Sequence, residues 1–157
     1  SPYLAPITES LEQYNKYLVL LADREKARLF TVHLGTIEEH KDIFDGIVPQ
    51  RVRANERDFY GRSDKILRHI DDHLTRHFKL ISQATSDFVR TTGPDFIILG
   101  GHFEFLPKLK QHLPASLRKM VLGEFVSSLD IPISEILRKS KNIAENILVQ
   151  SQRSMLP

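Results

Sequence analysis

SDKILRHIDDHLTRHFKLISQATSDFVRTT, residues 63–92, decides the fold of this chain, because it predicts one helix of about eight turns. The segment contains neither Pro nor Gly, and the helix-ending pair Gly93-Pro94 follows it. Ser63 is the predicted N-cap, with Asp64 in the first turn. Such a helix must lie along a large apolar surface. Its apolar residues recur every three or four positions on one face: Ile66, Ile70, Leu74, Phe78, Ile81, Phe88 and Val89.

The composition predicts one globular domain. The chain has 157 residues, 41% of them hydrophobic, and no cysteine, so disulfides and thiolate metal sites are excluded. No apolar run approaches the roughly 20 residues that span a bilayer, and no signal-peptide pattern begins the chain, so we expect a cytoplasmic protein without membrane association. We expect residues 17–150 to form the domain, residues 1–16 a linker or N-terminal extension, and residues 151–157 a tail. The chain begins at Ser1 and ends on an apolar segment, so we expect flanking domains of a longer chain.

Five short runs have the length and composition of β-strands. Residues 17–22 form a continuous apolar run, typical of a strand covered on both faces. Residues 27–34 alternate, and the more polar residues 36–44 predict an edge strand, so the three runs predict an antiparallel meander. Residues 95–99 predict a second buried strand, and residues 121–126 a final one.

Helical segments connect the later strands. They cover residues 103–113, with an interruption at Pro107, then residues 115–120 and residues 133–150. Helical crossovers imply parallel neighbouring strands. The sequence therefore predicts a three-layer α/β domain with a mixed sheet of about five strands and helices on both faces.

Three histidines, His69, His73 and His77, recur every four residues on the long helix and share one face. Two of them at this spacing can bind zinc, but a competent site needs a third ligand. Three histidines spread along about 12 Å of helix cannot all reach one ion. We therefore interpret them as residues at the border of the apolar face, and we predict no metal site and no cofactor.

Two further patterns have a chemical interpretation. Asp23 ends the first strand, as a metal-binding carboxylate does in RNase H-type nucleases, but these enzymes need several converging carboxylates and the later strands offer only Asp95. Gly100-Gly101-His102 has backbone N–H groups that a phosphate could accept, although a tight turn explains a glycine pair more simply. No small-molecule ligand is predicted.

The segment before the long helix is the better candidate site. Residues 50–79 contain eight Arg or Lys against five carboxylates, and Phe59 and Tyr60 are adjacent aromatics that could stack on bases. The alternative is a solvated loop whose arginines pair with Glu56, Asp58 and neighbouring carboxylates. The predicted nucleic-acid contacts are Arg51, Arg53, Arg57, Arg62, Lys65 and Arg68.

The order of these elements resembles a known family. YLVLLADREKARLFTVHLGTIEEH (17–40), a polar loop, RHIDDHLTRHF (68–78) and FIILGG (96–101) resemble the middle domain of the bacterial relatives of archaeal and eukaryotic class-1 peptide chain release factors. The resemblance covers roughly residues 4–148 and implies an RNase H-like fold without nuclease function. It also implies the ribosome or tRNA as partner. In release factors the loop before the long helix carries Gly-Gly-Gln, which positions water against the peptidyl-tRNA ester.

This sequence departs from the family at that loop. Gly61-Arg62-Ser63 stands near the expected place, Gln50 has no glycine beside it, and no Gly-Gly-Gln occurs in the chain. Glycines let a backbone approach an RNA active site closely, and Arg62 would obstruct that approach. The related rescue factor Pelota lacks the tripeptide and still works on stalled ribosomes. We therefore expect a non-catalytic, RNA-contacting domain. The alternatives are a peptidyl-tRNA hydrolase with a diverged loop, a metal-dependent nuclease, or a protein-interaction module.

Overall fold

A computed structural model describes residues 16–44 and 63–155, with side chains described for residues 16–44 and 72–150. Within these residues five strands form one mixed sheet in the order β3-β2-β1-β4-β5. The first three are antiparallel neighbours, β4 pairs parallel with β1, and β5 pairs parallel with β4. The predicted mixed sheet with an antiparallel meander is confirmed. The strands are β1 (Lys16–Ala22), β2 (Ala27–His33), β3 (Thr36–Glu39), β4 (Phe96–Gly101) and β5 (Val121–Val126).

Helices cover both faces of the sheet, so the predicted three layers are confirmed. One face packs against three helices and the other against the last helix, and each interface has its own apolar cluster. The alternating residues of β1 serve the two clusters in turn: Leu18 and Leu20 face one, whereas Val19 and Leu21 face the other. The helices are α1 (Ser63–Thr92), α2 (Leu106–His112), α3 (Ala115–Met120) and α4 (Ile133–Met155).

Helix α1 has the bounds that its sequence predicts. At its end Gly93 adopts a φ of +60°, and its N–H donates to the Val89 carbonyl at 2.9 Å, which is the predicted glycine stop. Phe78 and Ile81 of the apolar stripe are fully buried, and burial of each side chain contributes about 1.5–3 kcal/mol. Leu74, Phe88 and Val89 are half-buried against the same cluster. The side chains of Ser63, Ile66 and Ile70 lie outside the described residues.

The predicted third strand is too long. Strand β3 ends at Glu39, and Lys41–Phe44 forms a turn of 3₁₀ helix. The physical reason is burial, because the turn places Phe44 in the cluster beneath α1, where it is 9% exposed. The His40 N–H still donates to the Leu29 carbonyl at 2.8 Å, so the chain leaves the sheet directly after that bond. The predicted exposed loop over residues 46–62 lies outside the described residues.

The glycine pair belongs to β4, so the tight turn that the sequence predicts there is wrong. A Cβ on Gly100 would lie 2.8 Å from the Phe125 ring, and a Cβ on Gly101 would overlap the Ala22 carbonyl oxygen. Gly101 also has a φ of +149°, which favours glycine. The pair is therefore needed for close packing against the neighbouring strands.

The helix bounds also differ in two places from the predicted ones. Pro107 lies in the first turn of α2, where a missing N–H costs nothing, so it starts the helix instead of interrupting it. Helix α4 continues to Met155, beyond the predicted end at residue 150. Of the predicted linker over residues 1–16, only Lys16 lies within the described residues.

Candidate functional site

The carboxyl ends of the central strands form one edge of the sheet, here called the carboxyl edge. It consists of the turn 23–26 after β1, the turn 102–105 after β4 and the loop 127–132 after β5. Open α/β sheets commonly bind ligands outside this end of their strands. Helix α1 reaches the same edge, because His77 Nε2 donates to the Asp23 carbonyl at 3.1 Å.

The first half of α1, residues 63–76, lies N-terminal to the His77 contact with this edge and is here called the projecting half. From His77 towards its C-terminus the helix packs along the sheet with Phe78 and Ile81. In the other direction its backbone continues to Ser63, a length of about 20 Å at about 1.5 Å per residue. Phe44 lines a cleft at the edge together with His77. The two described residues that flank segment 45–62 are therefore Phe44 at the edge and Ser63 at the far end of the projecting half.

The cleft has a volume of about 620 Å³ and is shaped by one arginine. Arg28 makes a bidentate pair with Glu39, with Nε and Nη2 at 3.0 and 2.9 Å from the two carboxylate oxygens. Its Nη1 donates to the carbonyls of Leu129 and Ile131 at 2.8 and 2.9 Å, and the guanidinium lies 5.0 Å from the Phe30 ring centre. The arginine thus ties β2, β3 and the loop after β5 together. Since most of its donors are used, Arg28 stabilises the edge and has little capacity left for an anion.

Burial and hydrogen bonding change the pKa values of two residues at the edge, Glu39 and His77. The Arg28 guanidinium lowers the pKa of Glu39 by hydrogen bonding, against the opposing effect of burial. Burial lowers the pKa of His77, although the Asp23 carbonyl works in the opposite direction. Because a carbonyl oxygen only accepts, Nε2 of the neutral imidazole carries its proton. His77 therefore fastens α1 to the β1–β2 turn, which agrees with the predicted packing role.

The carboxylates considered for a nuclease do not converge. Asp23 Oδ1 accepts the N–H groups of Glu25 and Lys26 at 2.8 and 2.6 Å and thereby stabilises its own turn. Asp95 Oδ2 accepts the Lys16 N–H at 2.9 Å, at the opposite edge of the sheet. The length of β1 separates the two, about 20 Å at about 3.3 Å per residue. Among the described residues, no group of three or more His, Cys, Asp or Glu side chains could hold a metal ion.

All six predicted nucleic-acid contacts stay predictions, and the structure describes the backbone of two of them. Lys65 and Arg68 lie in the projecting half of α1, where the backbone is described and the side chains are not. The other four, Arg51, Arg53, Arg57 and Arg62, lie outside the described residues.

Sequence reasoning missed the side chains that shape the carboxyl edge. The sequence predicts a strand at Arg28, although an arginine in a half-buried strand signals the need for a partner. It predicts a helix from Phe103 onward and a turn at His102, and neither prediction brings the rings of His102, Phe103 and Phe105 together. An exposed position for Phe103 is not apparent from its hydrophobic type.

A comparison with one solved structure supports the fold. The crystal structure of an archaeal translation termination factor, aRF1, is similar with a TM-score of 0.55 at 13% sequence identity, over 97% of this chain and 44% of that chain. A second structure, titled only as an archaeal protein, has a TM-score of 0.45 at 11% identity, with the same coverage of the two chains. The likeness to aRF1 shows a shared fold, as the predicted release factor middle-domain architecture requires. This chain spans less than half the length of either structure.

In the part of the chain that the structure describes, no helix is long and apolar enough to cross a membrane.

The remaining comparisons concern sequence. No curated protein matches the chain. The model of the bacterial archaeo-eukaryotic release factor family 10 matches residues 2–145, which is nearly the whole chain. The chain therefore belongs to the bacterial archaeo-eukaryotic release factor family 10.

Proposed function

We propose that this chain is a non-catalytic, RNA-contacting domain of a protein that acts at the ribosome in peptide release or ribosome rescue. The observation that carries the proposal is the projecting half of α1, which continues about 20 Å from the His77 contact to Ser63 and includes Lys65 and Arg68, in a chain of this release factor-like family. The proposed partners are the ribosome and tRNA, which implies a cytoplasmic location.

The charge of the adjoining segment supports contact with RNA. Arg51, Arg53, Arg57 and Arg62 precede α1, and arginine pairs with phosphate through two parallel hydrogen bonds. Phe44, the last described residue before this segment, is buried in the core. The bonds of Arg28 to Glu39, Leu129 and Ile131, here called the Arg28 clamp, stabilise the edge from which the segment starts. The hydrogen bond from His77 to Asp23 does so too. A basic segment with a stable base is suited to binding a large, negatively charged partner.

The missing tripeptide argues against ester hydrolysis. Positioning of water by release factors depends on Gly-Gly-Gln, and this chain has Gly61-Arg62-Ser63 near the corresponding place. A residue with a side chain, such as Arg62, has fewer backbone conformations available than glycine and cannot bring its backbone as close to RNA. The proposed domain therefore occupies an RNA site without supplying the catalytic group.

A salt titration of ribosome binding tests the proposal. If the arginines contact phosphates, the logarithm of the affinity falls linearly with the logarithm of salt concentration, because bound counterions are released. The triple variant Arg51→Ala, Arg53→Ala, Arg57→Ala should reduce this slope by about 0.7–0.9 for each phosphate contact that it removes. We expect these arginines to be exposed from their sequence, and substitutions at exposed positions cost less than about 0.5 kcal/mol each, so the melting temperature should stay close to that of the native chain.

The matched control has the same change in charge at distant positions. Arg90, Arg118 and Arg138 are exposed and lie on α1 near its C-terminus, on α3 and on α4. Their triple alanine variant should retain the native slope. Equal slopes and affinities for the native chain and the Arg51, Arg53, Arg57 variant, with folding intact, would refute the RNA contact. Equal losses in both triple variants would show that only net charge matters and would also refute it.

A further inference from the structure

Four planar side chains form a row across the carboxyl edge. The Arg24 guanidinium lies 5.0 Å from the ring centre of Phe105, and the Phe105 ring lies 5.8 Å from that of His102. The His102 ring in turn lies 4.7 Å from that of Phe103, with an angle of 32° between the two planes. The row therefore continues from a cation through two rings to a terminal phenyl group.

The terminal ring is exposed to solvent. Phe103 is 62% exposed, the largest exposure among the large hydrophobic side chains of the described residues. Arg24 and His102 are exposed as well, whereas Phe105 is half-buried and packs against the apolar core. A single exposed ring is ordinary on a protein surface, so the combination of Phe103 with the adjoining rings and the Arg24 cation is what distinguishes this place.

The turn that presents Phe103 is hydrogen-bonded on both sides of it. The His102 carbonyl accepts the N–H groups of Phe105 and Leu106 at 2.9 and 3.2 Å, and Leu106 is buried. His102 Nδ1 accepts the Glu104 N–H at 3.4 Å, a longer bond. The backbone therefore presents the ring in a defined place, which lowers the entropy cost of binding.

We infer that this row is a stacking platform for an unpaired nucleobase of single-stranded RNA, with Phe103 as the stacking surface and Arg24 as a contact for a neighbouring phosphate. The inference deepens the proposed function and rests on it. Exposed aromatic rings beside cations are the usual means of binding single-stranded RNA without sequence preference. Arg24 has no ion pair with a described residue, so its charge is available for a phosphate.

The location of the platform favours RNA over a protein partner. Arg24 follows Asp23, whose carbonyl accepts the bond from His77, so the row lies where α1 begins to project. One RNA ligand could therefore contact the platform and the first half of the helix, which includes Lys65 and Arg68, together. A protein partner would be expected to need a wider apolar surface than a single exposed ring.

The test combines binding with a spectroscopic signal of stacking. The probe is a short single-stranded RNA with one 2-aminopurine, whose fluorescence is quenched when the base stacks on a ring. Phe103→Ala should weaken binding of this probe by about 5- to 150-fold, the usual contribution of one stacked base, and should abolish the quenching. Its salt slope should stay native, because no phosphate contact is lost. Phe103→Trp should retain both binding and quenching.

Two controls separate stacking from general apolar contact. Phe103→Leu keeps an apolar side chain but has no aromatic face, so it should behave like the alanine variant. Leu122 is 53% exposed near the start of β5, away from this edge, and Leu122→Ala should bind as the native chain does. Native affinity of Phe103→Leu would show a contact without stacking and would overturn the platform.

The failure of the platform and that of the proposed function give different results. Two results would overturn the platform alone, provided that the native chain shows salt-dependent ribosome binding. One is that the native chain does not quench the probe. The other is that Phe103→Ala binds and quenches the probe as the native chain does. Absence of salt-dependent ribosome binding by the native chain would overturn the proposed function, and the platform with it.

Discussion

Replacement of Arg28 by alanine should destabilise the carboxyl edge by an amount that its contacts determine. The change removes two hydrogen bonds to Glu39 and two to backbone carbonyls. A hydrogen bond to a charged group contributes about 1.5–3 kcal/mol when it is considered alone, and the contributions of bonds from one side chain do not simply add. The two side chains are 23% and 16% exposed, so water can partly replace the lost partner. We therefore expect a cost near the lower limit for breaking a buried pair, about 3 kcal/mol. That corresponds to a fall of about 6–12 °C in melting temperature for a domain of this size.

The pH dependence gives this prediction a second readout. Arg28 lowers the pKa of Glu39 in the folded protein, so the stabilisation is complete above the ordinary value of 4.5 and is lost as the pH falls through the folded value. The difference in unfolding free energy between native protein and Arg28→Ala, measured with urea, should therefore shrink from neutral pH to about pH 3.

The unfolding free energy of Arg28→Lys should lie between those of the native protein and Arg28→Ala, since lysine keeps the charge but lacks the planar guanidinium. Arg90→Ala, which breaks an exposed pair with Asp87, should cost less than about 0.5 kcal/mol. Equal stability of Arg28→Ala and the native chain at neutral pH, or a difference that does not change with pH, would refute the clamp.

Two further predictions concern packing at the same edge. Gly101→Ala should lower the free energy of unfolding by more than about 3 kcal/mol, because the added Cβ would overlap the Ala22 carbonyl oxygen in a backbone conformation that already disfavours side chains. Gly93→Ala should cost only about 1 kcal/mol, because a φ of +60° is unfavourable for alanine but the space around the added Cβ is open. Equal urea midpoints for the Gly101→Ala and Gly93→Ala variants would contradict the packing role of Gly101. Burial lowers the pKa of His77, so the native protein should lose stability as the pH falls below the ordinary value of 6.5. His77→Gln should lose less between about pH 7.5 and about pH 5.5, and equal losses in the two proteins would show that His77 does not titrate on unfolding in this range.

Most of the fold was predictable because its signals are local. The apolar stripe from Leu74 to Val89 and the stop at Gly93 need no tertiary information, and the bounds of α1 agree with them. The errors arose where a distant contact decides the local conformation. The chain leaves the sheet after Glu39 because Phe44 has a place in the core beneath α1, and no pattern within residues 36–44 signals that.

The glycine pair and the clamp illustrate the same limit. Gly100 and Gly101 look like a turn in isolation, and only the approach of Phe125 and Ala22 from the neighbouring strands shows why they are strand residues. Arg28 finds acceptors in a loop about a hundred residues later in the chain, which spacing alone cannot predict. The row of rings at Phe103 likewise depends on two turns that meet only in the folded protein.

The basic segment was predictable as a candidate from its composition, and its contacts remain a prediction. Its arginines at positions 51, 53, 57 and 62 form a cluster that the sequence displays directly. The distances that would separate phosphate contacts from ordinary surface ion pairs depend on partners outside the chain. A functional assay therefore has to decide between these two readings.

Ribosome binding and peptidyl-tRNA hydrolysis can be measured in the same samples, with ribosomes that carry peptidyl-tRNA. For a non-catalytic RNA-contacting domain we expect binding that weakens steeply with salt, together with release of peptide no faster than in ribosomes alone. Peptide release above that background would contradict the non-catalytic assignment. Absence of salt-dependent binding would contradict the contact with RNA.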